Sequence, residues 1–315
     1  MENPQVHPLK AIALPSVLPT PFLHPRHEEI DQQVISYLVN TWEWPSKKAK
    51  KGFVSWKLSE VVSFMFPTGD TERVRLACEL LLLGFLMDDW FDNNTLATNT
   101  TVVSRLQSIL SSPSTFTPAT TIERMHSTLF SRILGYPSSS SILTTYLSML
   151  ECHCSSTRGS LSTLSTYLSF RETDVGMPIC RELLYFTEDL SLTPAEKSLL
   201  QPLERVANYH VSILNDIFSF EREWKAAETL GQGAVLVNGV RILADEVGVS
   251  VGVAKRLCFS LVRAWEEEFV EMSGAVLGAV ADDEESRERL ERAVKGIERR
   301  MTGAEAFSWR TSRYL

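Results

Sequence analysis

The chain has 315 residues, a formal net charge of -8, 44% hydrophobic residues and 22% charged residues. This balance is typical of a folded globular protein and excludes disordered and fibrous classes. The acidic charge argues against nucleic-acid binding, which needs clustered Lys and Arg. A phosphorylated partner would need divalent cations to bridge the two sets of negative charge.

The cysteines and the N-terminal sequence indicate the cellular compartment in which the protein is expected. Five scattered cysteines do not form the dense, even pattern of a secreted disulfide scaffold, so we expect a reducing, cytoplasmic location with buried or incidental thiols. Cys152-His153-Cys154 could indicate a soft-metal site, but no second Cys or His pair follows at a suitable spacing. We expect neither a secretory signal nor a membrane span, since the most apolar stretch, Leu81 to Met87, is far below the roughly 20 residues required.

The repeat of apolar residues predicts the fold class. Residues 1–27 are rich in proline and predict an extended arm. From residue 28 to 315, apolar residues recur mostly at three- and four-residue spacing, which predicts a single all-α domain. The predicted helices cover residues 28–42, 71–92, 121–135, 140–153, 160–175, 178–189, 194–226, 233–247, 250–273 and 284–301. The polar segments 93–120 and 136–141 are predicted to be loops.

The helix predicted over residues 71–92 ends in an acidic motif, Asp88-Asp89-Trp90-Phe91-Asp92. At about 100° per residue, Asp88 and Asp92 project from the same side one turn apart, with Asp89 adjacent. Hard divalent cations prefer such oxygen ligands. The motif therefore predicts a cation site, although an acidic helix end facing water remains an alternative.

A second polar motif lies in the helix predicted to begin near Pro194. Asn215, Ser219 and Glu223 recur every four residues and drift only about 80° around the helix, so they line one stripe. An amide oxygen, a hydroxyl and a carboxylate are three oxygen ligands for one Mg²⁺. The stripe could instead be a solvated face, but the apolar residues between its members predict a substantially buried helix.

Together the two motifs resemble the aspartate-rich and N-D-x-x-S-x-x-x-E motifs of class I terpene synthases, and the chain is similar to fungal sesquiterpene cyclases of the aristolochene synthase type. The resemblance implies a single-domain class I terpenoid synthase helical bundle around a central active-site cavity. It implies that three Mg²⁺ ions hold the diphosphate of a prenyl diphosphate substrate. The implied metal ligands are Asp88, Asp92, Asn215, Ser219 and Glu223. Asp92 departs from the aristolochene synthase type, in which a glutamate stands at this position.

The same resemblance implies a diphosphate sensor. Arg171 opens the sequence Arg-Glu-Thr-Asp-Val-Gly, which is similar to the family segment with a sensing arginine, a linking aspartate and a helix break. By this resemblance, Arg171 would be the sensing arginine and Asp174 would be the linking aspartate. Gly176 and Pro178 independently predict the break, because neither fits comfortably in a continuous helix. Arg171 could otherwise be a surface arginine before an ordinary helix end.

Three further residues match positions that bind diphosphate in the family. Arg222 stands where relatives have a basic contact residue, and Arg313-Tyr314 matches a terminal Arg-Tyr pair. These groups and the metals would stabilise charge on the leaving diphosphate. The allylic cation would then need an apolar cavity with aromatic faces, for which Phe85 and Phe307 are the candidates. Either could equally be core packing, and Phe307 stands where many relatives carry tryptophan.

The resemblance favours farnesyl diphosphate as the substrate and leaves geranylgeranyl diphosphate open. A chain-elongating prenyltransferase normally has two aspartate-rich motifs, whereas the second motif here is the Asn/Ser/Glu stripe. A class II cyclase is disfavoured because it needs a D-x-D-D motif. Here Val280 stands two positions before Asp282-Asp283, where the first aspartate of that motif would be. A non-catalytic helical interaction protein is disfavoured because every expected ligand type is present. Relatives often form dimers, which leaves a homodimer open.

Overall fold

Helices account for all the regular secondary structure in the part of the chain that the structure describes. This computed structural model describes residues 7–112, 115–137, 139–152, 161–174, 176–230 and 236–314, with the backbone alone for residues 173, 174, 226, 229 and 230. Within these residues there is no β-strand, which confirms the predicted all-α class. None of the described helices has the length and hydropathy needed to cross a membrane.

The helices are numbered in chain order. They are α1 (His27–Thr41), α2 (Lys47–Trp56), α3 (Ser59–Met65), α4 (Thr71–Asp92), α5 (Leu96–Ser111), α6 (Thr121–Leu134), α7 (Ser140–Cys152), α8 (Leu164–Asp174), α9 (Met177–Thr187), α10 (Pro194–Leu230), α11 (Gly239–Val247), α12 (Val251–Gly278) and α13 (Glu284–Arg310). Two short 3-10 helices, Pro8–Ala11 and Ser312–Tyr314, lie near the ends.

The chain divides into two compact units. Unit I comprises Met1–Pro21, Thr157–Val175 and Leu192–Leu315, and unit II comprises Phe22–Ser156 and Gly176–Ser191. In unit I, α10 packs against α8, α11, α12 and α13. In unit II, α4 packs against α1, α3, α6, α7 and α9. The domain boundary expected between residues 27 and 28 remains a prediction.

The loop predicted over residues 93–120 was wrong, because α5 occupies Leu96–Ser111. Its Ser- and Thr-rich composition disfavours a helix, but Val103, Leu106 and Ile109 recur at three-residue spacing and are all buried. Thr95 caps the helix, since its hydroxyl accepts a hydrogen bond of 3.3 Å from the amide of Thr98. Burial of one apolar stripe therefore stabilises a helix that local composition disfavours.

Two other helices were not predicted, α2 and α3. Helix α7 begins at Ser140, as the helix predicted over residues 140–153 does. Helix α2 is rich in lysine, and only one of its residues, Phe53, is buried. Its apolar residues Ala49, Phe53 and Trp56 recur at spacings of four and three residues, which is a helical signal that the prediction did not use.

The N-terminal segment is fastened to helix α12 of unit I. The Glu266 carboxylate accepts hydrogen bonds from the Ser16 hydroxyl at 2.8 Å and from the Val17 amide at 3.0 Å. Arg263 donates to the Leu14 carbonyl at 2.9 Å. Buried charged side chains of α12 thus anchor backbone and hydroxyl groups near the start of the chain.

Candidate active site

Helix α10 carries the second predicted metal motif and is well defined at its start. Thr193 and Glu196 form a capping box: the Glu196 carboxylate accepts from the Thr193 amide at 2.7 Å, and the Thr193 hydroxyl accepts from the Glu196 amide at 3.2 Å. Farther along, Ile217, Phe218 and Phe220 are buried in the core of unit I. The prediction that this stretch is a buried helix is confirmed.

Asn215 is joined to the end of the chain. Its side-chain nitrogen donates a hydrogen bond of 2.9 Å to the hydroxyl of Tyr314. Tyr314 and Arg313 lie in a short 3-10 helix that contacts α10. The structure thus brings together three residues that the sequence analysis assigned to one site, and it leaves the carbonyl oxygen of Asn215 as its candidate metal ligand.

Ser219 lies one turn beyond Asn215 and is 1% exposed. Its hydroxyl has no hydrogen-bond partner among the described residues. Buried polar groups are normally paired, because leaving one unsatisfied is costly. A cation would satisfy this hydroxyl, and amide, hydroxyl and carboxylate oxygens together suit a hard divalent ion. The donor set of α10 therefore fits the metal that the sequence predicted.

Glu223 completes the stripe and has a partner that the sequence analysis missed. One oxygen of its carboxylate, Oε2, accepts a hydrogen bond of 3.0 Å from the side-chain nitrogen of Asn238. The other, Oε1, is 4.0 Å from the guanidinium of Arg222. The Arg222 side chain is 42% exposed, so its charge is accessible to a ligand. Glu223 is therefore held from one side and borders a basic group on the other.

Asp216, next to Asn215, is the centre of a buried polar network. Its Oδ2 accepts hydrogen bonds from the Tyr167 hydroxyl at 2.6 Å and from the Gly239 amide at 2.9 Å. Its Oδ1 is 3.7 Å from the Arg171 guanidinium. Burial raises the pKa of Asp216 to about 7, although Arg171 and the two hydrogen bonds act in the opposite direction. The network connects α8, α10 and the start of α11.

Gly239 is required where α11 approaches α10. A Cβ atom at this position would lie 2.6 Å from the Ile213 side chain, 2.8 Å from Asp216 Oδ2 and 2.9 Å from the Tyr167 ring. Two of these neighbours are buried side chains packed in the core, so they cannot move aside at low cost. Only glycine allows its amide to reach the Asp216 carboxylate.

Arg313 and Tyr314 provide two hydrogen-bonding groups of different charge. The Arg313 side chain is buried, whereas Tyr314 is half-buried. Burial raises the pKa of the Tyr314 phenol, against the lowering effect of the nearby Arg313 and Arg222 guanidinium groups. Tyr314 therefore stays protonated at neutral pH, and its hydroxyl can donate a hydrogen bond to an anion.

The predicted helix break after Arg171 is confirmed. Helix α8 ends at Asp174 and α9 begins at Met177, with Gly176 in the left-handed region at φ 78° and Pro178 in the first turn of α9. This φ angle favours glycine, which has no Cβ to clash. Asp174 lies in the last turn of α8, and its side chain is outside the described residues, so its linking role stays a prediction.

The first predicted metal motif closes helix α4 of unit II. Asp88 and Asp89 are half-buried and Asp92 is exposed, so the solvent exposure of the acids increases toward the end of a largely buried helix. Phe85 is half-buried one turn before Asp88, and Phe307 of α13 in unit I is 4% exposed. The ligand roles of the acids and the cation-stabilising roles of the two rings stay predictions.

A different cluster of potential metal ligands, His210, Glu266 and Glu305, lies in unit I. The Arg263 guanidinium already occupies it, donating to Glu266 and to both oxygens of Glu305, at 2.8 and 2.5 Å. Burial raises the pKa of Glu266, but hydrogen bonds from His210 and the charge of Arg263 outweigh this effect and leave the pKa below its usual value. The cluster is an ion-pair network that supports the N-terminal segment.

The four described cysteines are free thiols, and three of them are buried. This agrees with the expectation of buried or incidental thiols. His153 and Cys154, considered above as part of a soft-metal site, lie outside the described residues.

Comparisons with known proteins agree with this architecture. Residues 79–268 match the family described as terpene synthase family 2, C-terminal metal binding. The chain is 31% identical over 304 residues to a (+)-aristolochene synthase of Penicillium expansum, covering 96% of this chain and 91% of that protein. It is 29% identical to an aristolochene synthase of Aspergillus terreus over 93% of this chain and 92% of that protein. The crystal structure of aristolochene synthase from Penicillium roqueforti matches with a TM-score of 0.82 and 27% identity, covering 95% of this chain and 99% of that chain.

These findings and the all-α fold define the class as class I terpene synthases. The chain belongs to the terpene synthase family, as its two motifs predicted. It is therefore an enzyme, a lyase that acts on prenyl diphosphates, and its family is one that binds divalent metal.

Four members of the site were not predicted from the sequence: Tyr167, Asp216, Asn238 and Gly239. Asp216 follows Asn215 in the motif but lies off the stripe of predicted ligands. The Asn-Gly pair just before an apolar helical stretch was a usable signal for a helix start, since Asn is a preferred N-cap. No local pattern links that start to Glu223.

Proposed function

We propose that this terpene synthase is a Mg²⁺-dependent sesquiterpene cyclase. It ionises farnesyl diphosphate, cyclises the resulting carbocation and releases diphosphate. The observation that carries the proposal is the cluster in unit I, where the Asn215 amide is bonded to Tyr314 and the buried Ser219 hydroxyl lies one turn away without a partner among the described residues. The names of the relatives, aristolochene synthases, support a sesquiterpene product.

The residues that would hold Mg²⁺ are Asn215, Ser219 and Glu223 of α10, with Asp88 and Asp92 of α4 as further ligands. When bound, the ions supply positive charge that neutralises the diphosphate as it leaves. Three ions per active site follow the family resemblance. The net charge of -8 gives a physical reason for this dependence, because an acidic protein binds an anionic substrate poorly without cations between them.

The chain's own donors would bind the diphosphate directly. Arg171, Arg222 and Arg313 provide guanidinium groups, and Tyr314 provides a phenol that is protonated at neutral pH. Helices α8 and α10 and the terminal 3-10 helix set the backbone positions of these groups. Preorganised donors stabilise developing negative charge more effectively than water, because they need not reorient during the reaction.

The substrate assignment is tested by incubating the purified protein with geranyl, farnesyl and geranylgeranyl diphosphates. Products are identified by gas chromatography and diphosphate release is quantified, with Mg²⁺ present or removed by chelator. We expect cyclic products from farnesyl diphosphate and none in excess chelator. Cyclic products from geranylgeranyl diphosphate alone would assign a diterpene cyclase, and elongated linear diphosphates would assign a prenyltransferase.

The ligand assignment is tested by Asn215→Ala, Ser219→Ala, Glu223→Ala and Asp88→Ala. Each should lower turnover strongly while circular dichroism shows an unchanged helical content, because a ligand is removed rather than packing. The matched control is Glu228→Ala, which removes an exposed carboxylate from the same helix. A near-normal rate in Asn215→Ala would contradict the assignment of the stripe. Asp89 and Asp92 should tolerate replacement better than Asp88, as the family pattern implies.

A further inference from the structure

We propose that Asn238 is a positioning residue of the metal site, holding the Glu223 carboxylate in the orientation that binds a divalent cation. This inference rests on the proposed function, because it takes Glu223 to be a metal ligand. Asn238 is the N-cap residue of α11, 15 residues beyond Glu223, and it is fully buried.

Every hydrogen-bonding group of the Asn238 side chain is engaged. Its nitrogen donates to Glu223 Oε2 at 3.0 Å and to the Asp216 backbone carbonyl at 3.1 Å. Its carbonyl oxygen accepts from the Val240 amide at 3.0 Å, which caps α11. An amide with both protons and its oxygen committed in a dry environment has one favourable orientation. Asn238 therefore presents a fixed N–H to Glu223.

This fixed donor restricts the Glu223 carboxylate. Its Oε2 is bonded to Asn238, and its Oε1 is 4.0 Å from Arg222, which is beyond hydrogen-bond distance. The Glu223 side chain is otherwise long and 28% exposed, so it would sample several rotamers without the bond. Asn238 holds one oxygen and leaves Oε1 as the atom available to a cation. This is the arrangement by which outer groups orient metal ligands.

Asn238 is itself held in place by the residue that follows it. The Gly239 amide donates to Asp216 Oδ2 at 2.9 Å, and the position of Gly239 has no room for a Cβ atom. The start of α11 is thus bound to α10 by two successive residues, Asn238 and Gly239. Because Asp216 and Glu223 are on the same helix, α11 sets the position of the donor relative to the stripe of ligands.

The test uses Asn238→Ser, because serine retains an N-cap oxygen for Val240 but is too short to reach Glu223. Binding of Mg²⁺ is measured in the presence of inorganic diphosphate, by calorimetry and by the rise in melting temperature, so that the readout does not depend on turnover. We expect the half-saturating Mg²⁺ concentration to rise by about tenfold to a hundredfold, the usual cost of losing such an outer group. In steady-state kinetics, saturating Mg²⁺ should restore most of kcat.

Two further variants separate the donor from the cap. Ser250→Ala removes the N-cap of α12 in the same unit and should leave Mg²⁺ binding unchanged. In a Glu223→Ala background, Asn238→Ser should cause no additional weakening, because the carboxylate on which it acts is gone. If Asn238→Ser does not fold, Asn238→Thr replaces it, since threonine also caps and is also too short.

The outcomes distinguish this inference from the proposed function. If Glu223→Ala weakens Mg²⁺ binding and a folded Asn238→Ser does not, Asn238 has no positioning role while the metal site stands. If Glu223→Ala itself leaves Mg²⁺ binding unchanged, the ligand assignment of Glu223 made in the proposed function fails. The positioning role of Asn238 then fails as well. Equal weakening by Asn238→Ser and Ser250→Ala would assign the effect to a general perturbation of unit I and overturn the proposal.

Discussion

The amide of Asn215 donates a hydrogen bond to the hydroxyl of Tyr314, 99 residues farther along the chain. This contact joins the first residue of the predicted metal stripe to the last aromatic residue of the protein. It determines which end of the Asn215 amide is available, because the nitrogen is engaged and the carbonyl oxygen is left to ligate a cation. The terminal segment thus contacts a proposed metal ligand and also carries two proposed diphosphate donors, Arg313 and Tyr314.

The first prediction concerns this contact. Tyr314→Phe removes the acceptor for Asn215 and one proposed donor to diphosphate, so we expect turnover to fall by about tenfold, which corresponds to about 1.4 kcal/mol and lies in the range of a net hydrogen bond. The half-saturating Mg²⁺ concentration should rise as well, because Asn215 is then free to rotate. Steady-state kinetics over a Mg²⁺ series measures both changes. Tyr136→Phe, in unit II, is the control, and a Tyr314→Phe enzyme with unaltered kinetics would remove the contact from the chemistry.

The second prediction concerns Arg171, whose guanidinium is 3.7 Å from Asp216. Lysine retains the charge but loses the planar fork that can bind two oxygens together. Arg171→Lys should lower kcat by about a hundredfold, on the order of 3 kcal/mol, with a much smaller change in KM, because the lost contact strengthens as the leaving group gains charge.

The matched control for Arg171 is Arg205→Lys, which alters an exposed guanidinium of the same unit, 3.6 Å from Glu172. Its kcat should stay within about twofold of the wild type, as is usual for surface ion pairs of small energetic effect. Kinetics is measured beside a thermal melt of each variant. An unchanged kcat in well-folded Arg171→Lys would exclude Arg171 from a role in ionisation.

The third prediction concerns the buried ion pair of α10 and α13. Arg300 is fully buried and donates to both oxygens of Glu204 at 2.7 Å. Glu204→Ala removes both of these bonds and the carboxylate charge beside the buried guanidinium, so we expect a loss of about 3–5 kcal/mol in the free energy of unfolding. Combining Glu204→Leu with Arg300→Met should recover most of that loss, because both charges of the pair are then replaced by apolar groups.

Chemical denaturation measures these free energies. Arg287→Ala is the comparison, since its pair with Glu291 lies one turn apart on the exposed face of α13, and it should cost less than about 1 kcal/mol. A similar small loss in Glu204→Ala would show that the buried pair is not required for stability.

The fourth prediction concerns pH and His126 of α6. Its ring nitrogens contact the Ile122 carbonyl at 2.8 Å and the Tyr146 hydroxyl at 3.0 Å. Burial, the dominant cause, lowers the pKa of His126 from 6.5 to about 4, against the raising effect of the Ile122 carbonyl. Because the unfolded chain takes up the proton first, this group destabilises the fold as pH falls from 6.5 to 4, by up to about 3 kcal/mol.

The free energy of unfolding is therefore measured from pH 7.5 to pH 4 for the wild type and for His126→Asn. The variant should be less stable at pH 7.5, since it loses the bond to Tyr146, but its stability should fall less steeply below pH 6.5. Parallel pH profiles for the two proteins would contradict the prediction, as would a His126 ring resonance that titrates near 6.5.

Local sequence was sufficient for most of the helices and for the arrangement of the predicted ligand stripe. The bounds of α4 were predicted correctly because its apolar run and terminal acids are contiguous, and the start of α10 followed from Thr193-Pro194. Asn215, Ser219 and Glu223 could be placed on one face because helical geometry relates residues four apart without reference to the rest of the fold. Family membership followed from the same short-range patterns.

Tertiary structure alone decided which residues contact those predicted ligands. Helix α5 forms against its Ser- and Thr-rich composition because three of its side chains are buried, and no local rule reports that burial. Asn238 reaches Glu223 because Gly239 lets α11 approach α10 at a distance that excludes a Cβ atom, and Tyr314 reaches Asn215 across 99 residues. Hydrogen bonds act over about 3 Å in space regardless of separation along the chain, so only the packed helices determine which distant donors meet which ligands.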